Sequence, residues 1–278
     1  MAGIAIRFRC AFLAILLSVT PAAHGWQAPP AEKSAELNLD AILRHLENNF
    51  IQYHASIPSF FCDEHVVSGI RRGSTPLEVI RADSIFRLKR ERSGKRSQLI
   101  ESREIKTVNG KPAKESQALR GPALLSGAFN IATAMIAYDE KPCFTYRLTE
   151  PSKHHQYIIE YATKNPKQQD KRCSVTEPTS GRAFVDPETM QITRIEARIP
   201  HHPMPGSITG LWTWSVDYGK VVLNGKTFWL PKKISSFATP DQRRTWNEPP
   251  ALQWSFDAIY SNYHELTVTS RILPEASR

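Results

Sequence analysis

Gly181-Arg182-Ala183-Phe184-Val185-Asp186-Pro187-Glu188-Thr189-Met190-Gln191-Ile192-Thr193-Arg194-Ile195-Glu196-Ala197-Arg198-Ile199 is the stretch whose reading decides the fold. Apolar and polar residues alternate on both sides of Asp186-Pro187-Glu188-Thr189, a period of two that gives each set its own face of a sheet. Asp186 can bond its own backbone two residues on, and Pro187 presets φ, so the middle is a turn. The alternation slips at Thr193-Arg194, which predicts a β-bulge there. Towards the C-terminus, residues 211–218 alternate again and pass through Gly219-Lys220 into Val221-Val222-Leu223. Asn224-Gly225 then returns the chain along residues 226–230, because a type I′ turn needs two positive φ angles that Asn and Gly adopt cheaply. Two hairpins in succession predict an antiparallel sheet.

Working outward to the N-terminus, Asn38 or Asp40 can cap a helix running to residue 56. Ile42, Leu46, Phe50, Tyr53 and Ile57 recur on one stripe, Arg44, Glu47, Asn48 and Gln52 point away, and Pro58 ends it. Such a helix must lay its stripe on the sheet. Residues 60–70, 84–89 and 97–108 read as successive strands, the last closed by a second Asn-Gly turn at Asn109-Gly110. Residues 119–137 interrupt the meander and are the most apolar stretch after the N-terminus, expected as one or two short helices against the sheet. Gly121-Pro122 and Gly127 would let that segment move as a lid. Strands resume at Cys143. Trp212, Trp214, Val216 and Tyr218 share one strand face, and Trp254, Phe256, Ala258 and Tyr260 share another, with residues 266–272 as a last strand. These aromatic faces have two readings, a cavity lining or ordinary core. On the cavity reading the ligand-binding residues are Trp212, Trp214, Trp254 and Phe256 from the sheet and Phe129 from the covering segment. Trp214→Arg would then abolish fatty-acid binding without unfolding the domain.

Residues 1–25 have the layout of a secretory signal peptide. Arg7 and Arg9 precede the apolar run of residues 10–19, and Ala23-His24-Gly25 offers small residues for cleavage, giving a chain that begins at Trp26. The apolar run is about half of the roughly 20 residues needed to span a bilayer. No later segment is long and apolar enough to do so. Residues 26–37 read as a Pro-rich lead-in and 38–278 as a single domain. Losing Arg7 and Arg9 takes the formal charge from +9 to +7. That excess is spread along the chain apart from a cluster at residues 87–96, and export argues against nucleic acid as a partner. Three cysteines remain. Cys143 opens one strand and Cys173 follows the next, so antiparallel return brings them together and predicts a disulfide, whereas Cys62 sits in an apolar context as a buried thiol.

Chemistry is sparse. His154-His155 and His201-His202 are adjacent pairs whose members point to opposite faces of a strand, which makes neither a good metal site. Ser126 lacks the Gly-Xaa-Ser-Xaa-Gly elbow, and there is no phosphate loop or zinc-protease helix. No catalytic residue, metal or cofactor is assigned, and a non-enzymatic role is favoured over a secreted hydrolase.

The order of amphipathic helix, Phe60-Phe61-Cys62-Asp63-Glu64, Val108-Asn109-Gly110-Lys111-Pro112, the Gly181–Thr189 hairpin and Gly225-Lys226-Thr227-Phe228-Trp229-Leu230-Pro231 resembles a group of exported bacterial proteins. Their layout is similar to the LolA-like lipoprotein-carrier and RseB-like half-barrels. The resemblance implies an α+β fold, a strongly curved antiparallel sheet with one long N-terminal helix and short helices over its concave face. It also implies a periplasmic or extracellular protein whose partner is a lipid or an acylated protein, with an envelope protein-interaction or sensor domain as the alternative.

Overall fold

The computed structural model describes residues 38–93, 96–114, 127–130, 132–149, 156–175, 177–204, 208–241 and 251–266. The chain from Leu37 on forms one compact unit. The expected signal peptide and lead-in lie outside the described residues, as do His154-His155, Gly121-Pro122, Ser126 and all but the first residue of the expected strand at 266–272.

Helix α1 (Leu39–Ser56) begins where the Asn38 side chain accepts a hydrogen bond from Ala41 N at 2.9 Å, satisfying one of the helix's orphan donors. It buries Ile42, Leu43 and Leu46 and stops just before Pro58. Its C-terminal carbonyls are closed from a distance. Arg90 donates to His54 O at 2.7 Å and to Ile57 O at 2.8 Å, placing a cation where the helix dipole is negative. The basic stretch around Arg90 therefore serves the fold at this residue.

Among the described residues eleven strands form one sheet: β1 (Phe60–Arg72), β2 (Thr75–Ser93), β3 (Arg96–Val108), β4 (Lys111–Pro112), β5 (Phe144–Thr149), β6 (Tyr157–Thr163), β7 (Ser180–Asp186), β8 (Gln191–Met204), β9 (Ile208–Leu223), β10 (Lys226–Pro240) and β11 (Leu252–Glu265). The spatial order is β4-β3-β2-β1-β11-β10-β9-β8-β7-β6-β5. Every neighbouring pair is antiparallel. Two meanders are thus zipped together by their outermost strands, with Glu64 opposite Tyr260 and Val66 opposite Ala258. Among the described residues the sheet remains open, with β4 and β5 at its edges: an α+β half-barrel with one α-helix.

Local chemistry sets the turns. Asn224 and Gly225 have φ of 48° and 73°, and Asn109 and Gly110 have 50° and 76°, the pair of positive angles a tight hairpin requires. The bulge expected at Thr193 is present: Phe184 pairs with Arg194 and Val185 with Ile192, leaving Thr193 unmatched. Strand β2 is longer than the short alternating run at 84–89 suggests, because it pairs with β1 over the whole length of that strand. Gly69 permits this approach, since a Cβ there would lie 2.6 Å from the carbonyl oxygen of Glu78.

One cross-strand row shows how the core is built. Val66, Ala258, Ile234, Val216, Ile195, Ala183 and Ile159 face each other across seven strands, each at most 1% exposed. Residues 127–130 and 132–137 cover this face as successive turns, followed by the short 3-10 helix Tyr138–Glu140. Gly127, at φ 93°, lets the chain reverse there. Cys143 and Cys173 form the expected disulfide, their Cα atoms 5.5 Å apart, which ties the start of β5 to the loop after β6. Cys62 is a free buried thiol, and burial pushes its pKa far up, so it is unreactive.

Candidate functional site

The site is built where α1 lies against the β7–β8 turn, the bulge at Thr193 and the covering loop. Tyr53 on α1 donates its hydroxyl to Phe129 O at 2.6 Å, and the ring of His54 bonds Asn130 O at 2.7 Å. Asn49, one turn earlier, donates to Met190 O at 2.6 Å and so fixes the helix to the β7–β8 turn. On the opposite side of the covering loop, the Glu101 carboxylate of β3 accepts from Gly127 N at 2.9 Å and Phe129 N at 3.2 Å. Burial is the main reason Glu101 holds its proton up to about pH 6, and the two backbone donors partly offset it. Burial likewise raises the pKa of Tyr53 and Tyr218, so both remain neutral hydroxyls.

These ties enclose a slot of about 170 Å³ between helix, loop and sheet. Phe50, Tyr53, Phe129, Ile192, Phe228 and Pro231 supply apolar wall, and Asn49, Gln52, Asn130, Thr133, Gln191 and Thr227 supply polar rim. An apolar cavity of about 150 Å³ is large enough to take benzene. The slot can therefore admit one ring or the end of a hydrocarbon chain.

Phe129 has a second neighbourhood. Its ring stacks on Phe86 at 4.3 Å, meets Tyr260 edge-on at 5.0 Å and lies 5.9 Å from Phe60. It is the plug that fills the sheet's centre. Beneath it Arg103 makes a bidentate pair with Glu64, to which Tyr260 also donates at 2.8 Å. The Glu64 side chain is fully buried, so this trio is sealed from any substrate.

Of the five residues assigned to a cavity, Phe129 borders the slot and Trp214 borders a larger groove. Trp212, Trp254 and Phe256 border neither. Phe256 is fully buried and Trp214 is 8% exposed, both within the core cluster. Trp212 rests against His202 and donates its indole N–H to Ser236 Oγ at 2.8 Å. Trp254 sits opposite Ile70 and Ala238. The slot's other walls, from Phe50, Ile192, Phe228 and Pro231, are absent from the sequence-based set. Phe50 was legible as part of the helix stripe, and Ile192 through the slip in alternation that turns it inward.

His201 and His202 are occupied separately, by Asp241 at 2.9 Å and by Glu177 at 2.9 Å. Among the described residues no three His, Cys, Asp or Glu side chains are grouped to hold a metal. Among those residues, too, no helix is long and apolar enough to cross a membrane.

No family model matches the chain, and no curated protein does. Among solved structures, a LolA superfamily protein from Nitrosomonas europaea is similar over 83% of this chain and 94% of its own, at 13% identity and a TM-score of 0.33. A DUF1329 family protein from Desulfovibrio piger is similar over 81% of this chain and 92% of its own, at 12% identity and a TM-score of 0.35. The chain thus has a LolA superfamily protein and a DUF1329 family protein among its neighbours in solved structures, and at that level of likeness no ligand or process passes from them to it.

Proposed function

We propose that this protein is an exported, non-enzymatic binding protein of the bacterial periplasm that holds the end of an acyl or similarly apolar chain in the slot between α1, the covering loop and β8–β10. The observation that carries this reading is the slot's composition, an apolar wall closed on one side by a loop and surrounded by uncharged polar side chains. That is the arrangement that seats an amphiphile with its tail inside and its head at the rim. The Cys143–Cys173 disulfide supports an oxidising, exported setting.

The test is a series of fatty acids of increasing length, measured by displacement of a fluorescent acyl probe. Each methylene buried contributes about 0.8 kcal/mol. Affinity should therefore rise about fourfold per carbon until the slot is full and then level off. Phe50→Arg places a charge in the wall at a half-buried position and should abolish binding with the fold intact. Trp214→Arg is a poorer probe than the sequence suggests, because Trp214 stands in the core and does not border the slot. Absence of displacement at every chain length, or binding unchanged in Phe50→Arg, would show that the slot is plain core packing.

A further inference from the structure

The face of the sheet turned away from α1 is hollow. The side chains that alternate with the core positions of β5–β11 border a groove of about 920 Å³, within the range of ligand sites. Two cross-strand rows form its floor. The first runs from Arg147 through Glu160, Arg182 and Glu196 to Ser215, Ser235 and Asp257. Its charges satisfy one another: Arg147 bonds Glu160 at 2.5 Å, Arg182 bonds Glu196 at 2.7 Å, and Ser235 donates to Asp257 at 2.6 Å.

The second row is different. Arg198 lies between Ser180 and Thr213, and Thr213 lies beside Phe237. Arg198 is exposed in the groove and makes no ion pair or hydrogen bond among the described residues. The hydroxyls of Ser180, Thr213 and Ser215 are likewise without a side-chain hydrogen bond among those residues. The groove thus presents one uncommitted guanidinium, two uncommitted hydroxyls and one phenyl ring along the second row, with the Ser215 hydroxyl beside them in the first.

Those groups decide the chemistry of an occupant. Beyond the edge strand β5, the groove crosses strands that are already paired on both sides, so over β6–β11 a peptide finds no row of free backbone donors and acceptors, as it would at a sheet edge. Recognition must come from side chains. A sugar chain fits, since its hydroxyls both donate and accept, as those of Ser and Thr do. The C–H face of a sugar ring can rest on Phe237, and a carboxylate on the sugar gives Arg198 the planar bidentate partner for which its fork is shaped. The formal charge of +7 left after export, +9 less Arg7 and Arg9, draws an acidic chain to the protein. We propose that the groove across β5–β11 binds a carboxylated oligosaccharide, with Arg198 taking the carboxylate and Phe237 carrying a ring. This site is on the opposite face from the acyl slot and stands independently of it.

Calorimetric titration with an oligogalacturonate hexamer tests the proposal, with a neutral maltohexaose and a hexaglutamate peptide as comparisons. Binding should be confined to the acidic sugar. Arg198→Glu should weaken it about ten- to hundredfold, the worth of a charge-assisted pair. Ser215→Trp should block it by filling the groove. Both side chains face away from the core, and an unchanged melting temperature confirms the fold of each variant. Absence of oligogalacturonate binding, equal binding of the peptide or the neutral sugar, or full affinity in folded Arg198→Glu would each overturn the assignment.

Discussion

Glu101 carries a pH dependence whose sign is opposite to that of a carboxylate held in a salt bridge. In the fold it titrates near pH 6, against an ordinary value of 4.5, mainly because it is buried under the covering loop. Between those two values the folded state binds more protons than the unfolded state, so stability falls as pH rises through the window. The contribution is fully present below about pH 4.5 and lost above about pH 6. Its size is at most about 2 kcal/mol, from about 1.4 kcal/mol for each pH unit separating the two values. For a domain of this length that is a melting shift of about 4–8 °C. Other groups also titrate in this range, so the informative quantity is a difference. Glu101→Gln keeps the shape, removes the charge and turns an amide N–H₂ towards one of the two loop donors, which adds a constant penalty of about 1 kcal/mol. That penalty is the same at every pH. Wild type minus Glu101→Gln, followed by near-ultraviolet circular dichroism from about pH 4 to pH 7, should therefore decline by about 2 kcal/mol as pH rises. A flat difference, or one that grows with pH, would mean that the loop does not bury this carboxylate.

Two further outcomes follow from the packing. Phe129→Ala removes the ring that stacks on Phe86 and meets Tyr260 edge-on, and should cost about 3–5 kcal/mol, read as a lower urea midpoint. Replacing Cys143 and Cys173 by Ser opens a link across 30 residues and should cost about 3–4 kcal/mol, while Cys62→Ser should leave the non-reducing peptide map unchanged.

Much of the fold could be read because its instructions are local. The Asn-Gly pairs at 109 and 224 specify their turns through two φ angles each, and Asn38 specifies a helix start through one side-chain bond. The disulfide was legible for a related reason, since a hairpin returns the end of its second strand to the beginning of its first. The pairing of β1 with β11 was not legible. Ile70 and Trp254 pair although the rest of the sheet lies between them in the chain, and nothing near either residue names the other. The ties that make the slot are hidden for the same reason: Arg90 on the helix end and Glu101 on the covering loop both act far from their own place in the chain. Alternation within one strand separates Glu196 and Arg198 from Ile195 and Ile199, but the cross-strand row that adds Arg182 and the curvature that makes a polar face a groove are not written in it.

The slips in alternation decide which residues serve which site. Period-two alternation inward from Ile195 would carry Thr193 and Gln191 to the core and send Ile192 to the opposite face. The unmatched Thr193 reverses this, so Ile192 turns inward and becomes slot wall. A second slip lies between Pro231 and Lys233, where two residues of β10 stand against Tyr218 and Asp217 of β9 with Lys232 left over. Across it the inward set of β9 changes from Val216 and Tyr218 to Val221 and Leu223, stepping over Gly219, where a Cβ would lie 2.9 Å from Lys232. Both slips border the slot, and the rows that floor the groove run through strand segments beyond them, where register is unbroken. The slips near Thr193 and Lys232 thus border an apolar slot on one face, and the unbroken stretch between them and the next slip, at Ile199–His202, carries the polar groove on the other. Arg194 already stands opposite Phe184 and Ile192 opposite Val185, so deleting Thr193 would remove the bulge yet keep Ile192 inward, and both the slot wall and the groove rows should survive it.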